Sequence, residues 1–105
     1  MMEVHMELSV FFKHLEGGVF KLLPLWEEQC NGRDVHLDLY IQDLLDEMIG
    51  AQTTFPDLLE DGQYVSLLNT IQYMAAHECS HAAWKRKVLK MMRTLNEMGG
   101  RCGNV

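Results

Sequence analysis

Apolar side chains return every three or four positions along much of this chain. Leu37, Tyr40, Ile41, Leu44, Leu45, Met48 and Ile49 fall on one side of a helix, as do Val4, Leu8, Phe11, Phe12 and Leu15, and again Tyr64, Leu68, Ile71 and Ala75. A helix with one oily side is stable only when something covers that side. The stripes therefore predict an all-α fold in which helices cover one another, a small antiparallel bundle of four to five helices.

The interruptions place the boundaries. The first series keeps helical phase through Gly17-Gly18, which predicts a helix that runs on through the pair, although each glycine costs about 1 kcal/mol relative to alanine there. Pro24 cannot donate a hydrogen bond and clashes with the carbonyl of Phe20, so a kink or break is expected near Leu22, followed by a short piece that ends at Asn31-Gly32. Asp34 is the expected N-cap of the next helix, which should bury its seven stripe residues and stop at Gly50. From Ala51 to Gly62 the chain reads as a connector, with Phe55 extended before Pro56 and with Leu58 and Leu59 pinning a short helical turn. Neither proline nor glycine occurs between Gln63 and Met98. The stripe at 64, 68, 71 and 75 is nevertheless out of phase with Trp84, Val88, Met91, Leu95 and Met98, so two helices are expected, joined near Cys79-Ser80 with Ser80 as a cap. Residues 1–98 form one expected helical domain and 99–105 a frayed C-terminal tail.

Length and composition narrow the class. A chain of 105 residues supplies one core. It has no apolar run long enough to span a bilayer, and Glu3, Glu7 and Lys13 interrupt the amino-terminal pattern where a secretory leader would be uninterrupted, so a cytoplasmic protein is expected. Cys30, Cys79 and Cys102 are odd in number and widely spaced. They read as free thiols, with Cys30 and Cys79 as small core residues. Of Trp26 and Trp84, one is expected to be half-buried.

Charge changes the picture most. The formal net charge is −6, but Glu27 to Asp61 carries ten carboxylates against Arg33 alone, a local −9, while Lys85 to Arg101 carries six bases against Glu97, a local +5. The acidic face of Asp38, Gln42, Asp43, Asp46 and Glu47, extended by Asp57, Glu60 and Asp61, is the expected partner-binding site. It suits a basic protein partner, as an inhibitor, immunity protein, adaptor or secretion chaperone would. The bland alternative is that the two charged faces neutralise each other. A membrane partner is not expected, and nucleic acid is disfavoured by the overall sign, although Lys85, Arg86, Lys87, Lys90 and Arg93 make a nucleic-acid-binding regulator an alternative. The doublets Phe11-Phe12 and Leu22-Leu23 are wider than a narrow stripe needs, and a homodimer would cover them.

One string carries chemistry. His77-Glu78-Cys79-Ser80-His81 fits HExxH and resembles the zincin metallopeptidase signature. That resemblance implies zinc held by His77 and His81, with Glu78 as the base acting on a metal-bound water, provided that one helix carries both histidines. The HxxGxxH continuation is absent, and Glu97 is the only downstream carboxylate. A zinc-dependent hydrolase is accordingly an alternative, and the main expectation is a binding protein with no catalytic residues and no cofactor. Phosphate-loop, dinucleotide-loop and nucleophile-elbow patterns do not occur, and Ser66 and Ser80 have no triad-like neighbours.

Overall fold

Leu8, Phe12, Leu15 and Val19 lie along α1 (Met2–Phe20), which passes through Gly17-Gly18 as its phase predicts. The computed structural model describes the backbone of residues 2–77 and 79–103 and the side chains of residues 8–77 and 79–100, so the side chains of Val4, Glu78 and Cys102 fall outside the described residues. The helix breaks at Lys21, and α2 (Leu22–Cys30) begins with Pro24 in its first turn, where a missing N–H costs nothing. It ends at Asn31, and Gly32 follows with φ of 88°.

Then come α3 (Leu37–Thr54), a 3-10 turn (Pro56–Leu59), α4 (Gly62–Ala76) and α5 (His81–Gly103), with no strand among the described residues. Phe12 lies beside Gly99 at one end of the molecule and Leu22 beside Trp84 at the other, so α1 and α5 run antiparallel and form the longest pairing. The pair α3–α4 is also antiparallel: the Tyr64 hydroxyl donates to the Met48 carbonyl at 2.7 Å near the turn. Between the two layers lies one core, in which Phe12, Leu15, Leu22, Met48, Leu58, Tyr64, Ile71, Val88, Leu95 and Met98 are almost wholly buried. Phe12 meets the ring of Tyr64 at 6.4 Å, and Phe11 meets Phe55 at 6.2 Å.

Several expectations need correction. Asp34 does not cap α3: the cap position is His36, in a left-handed conformation (φ 51°, ψ 49°), and Asp34 instead accepts from the His36 backbone N–H at 3.4 Å. Gly50 does not stop α3, because the next turn brings Ala51 into the core. Ile49 points to solvent and is half exposed, and Ala75 is exposed while Met74 is buried in its place. Cys30 is exposed on the last turn of α2, whereas Cys79 packs against the core. The final helix does not end at Met98; α5 continues through Gly99-Gly100 to Gly103. The joint at residues 77–80 falls where the phase shift puts it, and the Ser80 hydroxyl accepts from the Ala83 N–H at 3.2 Å.

Candidate functional site

Burying Leu37, Ile41, Leu44, Leu45 and Met48 against the bundle leaves the other side of α3 no choice of direction. Asp38, Gln42, Asp43, Asp46 and Glu47 all emerge there and are exposed. The structure brings the first four together as a free face, on which the Gln42 amide donates to Asp46 at 2.9 Å. Glu47 turns aside: its carboxylate lies 2.6 Å from His14 Nε2, tying α3 to α1. Asp57 and Glu60 are exposed on and just after the 3-10 turn beyond the end of α3. Asp61 is a structural cap, accepting from the Gln63 and Tyr64 N–H groups at 2.9 and 3.2 Å, so it holds α4 in place.

Ion pairs decide whether the acidic and basic regions cancel. Carboxylates with a basic partner within 4.0 Å include Glu27 (His81), Glu28 (Arg33), Asp34 (His36) and Glu47 (His14). Asp38, Asp43, Asp46, Asp57 and Glu60 have none, and no α5 lysine or arginine forms such a pair among the described residues. Lys85, Arg86, Lys90 and Arg93 are exposed, while the Lys87 ammonium sits 4.9 Å over the Tyr73 ring. The two fields therefore face solvent separately.

Next to the acidic face lies a groove of about 670 Å³, which sequence reasoning missed. Trp26, Leu37, Leu39, Met74 and Trp84 supply much of its lining, and Asp38 is its one carboxylate among the described residues. Four helices and the α4–α5 joint build it, so no contiguous stretch announces it; the two tryptophans were the only signal. Trp84 is buried and its indole N–H donates to the Leu22 carbonyl at 2.9 Å, whereas Trp26 is half-buried and stacks on Trp84 at 5.9 Å and on His81 at 5.2 Å.

The HExxH string comes apart in three dimensions. His77 caps the C-terminus of α4 with extended backbone (φ −130°, ψ 145°), stacks on Tyr73 at 4.0 Å and places Nδ1 3.1 Å from the Tyr73 carbonyl. His81 opens α5 and points Nε2 at Glu27, 3.3 Å away. The two imidazoles belong to different helices and serve different neighbours, so the single helix that the zincin resemblance requires is broken. Glu78 lies outside the described residues. Among the described residues no three His, Cys, Asp or Glu side chains are grouped closely enough to hold a metal ion.

Two phenols have acidities that report the packing. Burial, reinforced by the Glu47 carboxylate, pushes both Tyr40 and Tyr64 above the ordinary tyrosine value. Each is held by a backbone carbonyl, Tyr40 by that of Gly18 and Tyr64 by that of Met48. No described helix is long and apolar enough to cross a membrane. No known protein family, curated protein or solved structure matches the chain.

Proposed function

We propose that this is a non-enzymatic binding protein whose α3 face, Asp38, Gln42, Asp43 and Asp46, recognises a basic protein surface, in the manner of an inhibitor, immunity protein, adaptor or chaperone. The observation that carries this reading is the set of exposed α3 aspartates that form no ion pair within 4.0 Å among the described residues, although Asp43 borders a groove that also holds Lys13, His14 and Lys21. Asp38 sits in the first turn of α3 and Asp46 accepts from Gln42, but Asp43 and Asp46, three residues apart, repel by a few tenths of a kcal/mol, a cost that folding alone does not offset. A basic partner relieves that repulsion. It also gains rate, because an uncompensated field steers oppositely charged proteins into encounter. The neighbouring groove adds an apolar wall with Trp26 and Leu39 at hand, which lets the contact anchor as well as attract.

The test is chemical cross-linking in native cells with the wild type and with an Asp38→Lys/Asp43→Lys/Asp46→Lys variant. Glu47 and Asp61 are left untouched because they hold His14 and α4 in place. A basic protein cross-linked by the wild type and lost in the variant, with helical circular dichroism unchanged, is the expected result. Identical cross-links from both proteins would refute the face.

A further inference from the structure

The basic flank of α5 has the same layout as the acidic flank of α3. On α3 the exposed residues Leu39, Gln42, Asp43 and Asp46 stand at i, i+3, i+4 and i+7; on α5 the exposed residues Arg86, Leu89, Lys90 and Arg93 stand at the same intervals. Such a set forms one strip on a helix surface, about 10 Å long at 1.5 Å per residue. Each strip includes one large apolar side chain that the fold leaves open, Leu39 at 58% exposure and Leu89 at 48%. Within one chain no ion pair joins the strips among the described residues: α3 packs on α1, α2, α4 and the 3-10 turn, and α5 packs on α1, α2 and α4.

We propose that the α5 strip Arg86, Leu89, Lys90 and Arg93 of a second copy of this chain docks on the α3 strip Leu39, Gln42, Asp43 and Asp46. This rests on the reading of the α3 face as a binding surface and names one partner for it. Charge complementarity selects the occupant: two aspartates with no ion pair within 4.0 Å meet three bases with none among the described residues, and Leu39 and Leu89 add apolar area to the contact. Strips this short bury little area, which puts the association at the weak, transient end of protein interfaces. Exposed charges govern it, so it follows ionic strength. At about 0.01 M salt the charges act over about 30 Å, and at 1 M over about 3 Å. A binding site and its own competitor then reside in one chain, and a foreign basic partner must displace the copy to reach α3.

Sedimentation equilibrium of the full chain at high micromolar concentration tests this, using the wild type, Asp43→Lys/Asp46→Lys and Lys90→Glu/Arg93→Glu. The wild type is expected to self-associate at low salt and to dissociate as salt is raised, with affinity falling at least tenfold. Each variant alone is expected to stay monomeric. Mixing the two is expected to restore association, because the untouched α5 strip of the first variant then faces the untouched α3 strip of the second, as do the two reversed strips, and restoration also shows that both variants fold. A wild type that is monomeric at every concentration, or variants that associate as it does, or a mixture that stays monomeric would overturn the proposal. A monomeric wild type leaves recognition of a foreign basic protein standing, and that is decided separately by the cross-linking comparison.

Discussion

Tyr64 shows how single side chains hold this bundle. It is fully buried, its ring touches Phe12 and its hydroxyl is satisfied by the Met48 carbonyl, so one residue joins α1, α3 and α4. Its acidity is displaced upward in the fold, which means that the neutral phenol is favoured by folding. The stability from this preference is fully present below the unfolded tyrosine value of about 10 and is lost as pH rises from there toward the folded value. Urea denaturation from pH 8 to 11.5 should therefore show stability falling above pH 10, and falling less steeply in Tyr64→Phe. That variant should also be weaker by about 1 kcal/mol at neutral pH, the usual worth of one hydrogen bond. A Tyr64→Phe profile parallel to the wild type would contradict the assignment. At His14 and Glu47 the same logic applies to placement: a residue read as part of the acidic face turns out to be a strut between α1 and α3.

The helices were largely legible in the sequence because their stripes are long and regular, and the joint at 77–80 was legible because a phase shift is a change that packing must respect. Boundaries set by tertiary contact were not. Gly50 reads as a stop only if the chain beyond it has nothing to bury, and Ala51 does. Ile49 neighbours buried Met48, but one residue further round the helix is a rotation of 100°, enough to leave the core. The acidic face was readable from spacing, whereas the Trp26 groove depends on how α2, α3, α4 and α5 meet. Within α1, Gly17 and Gly18 separate two roles. A methyl group at Gly17 would meet nothing within 4 Å, while one at Gly18 would lie 3.3 Å from Leu44 Cδ1 and 3.6 Å from the Tyr40 hydroxyl. Gly17→Ala should raise stability by about 1 kcal/mol, the normal helix preference for alanine. Gly18→Ala should gain clearly less, because Leu44 must move aside. Equal gains in thermal unfolding would mean that α1 and α3 do not approach each other here.

Taken together, the chain is an elongated body of 47 × 22 × 20 Å that carries an acidic face and a basic face without joining them by ion pairs among the described residues. Four apolar stripes, on α1, α3, α4 and α5, build its core, and none of them includes Asp38, Asp43 or Asp46. In the HExxH string, His77 ends α4, Ser80 accepts from the Ala83 N–H and His81 opens α5. The most direct test places a photo-crosslinking amino acid at Gln42, in the middle of the acidic strip, and another at exposed Asn69 on α4, then irradiates living cells and sequences the adducts. The account predicts that position 42 joins segments rich in lysine and arginine that position 69 does not. Adducts at position 42 that are acidic or neutral, or the same adducts from both positions, would contradict it.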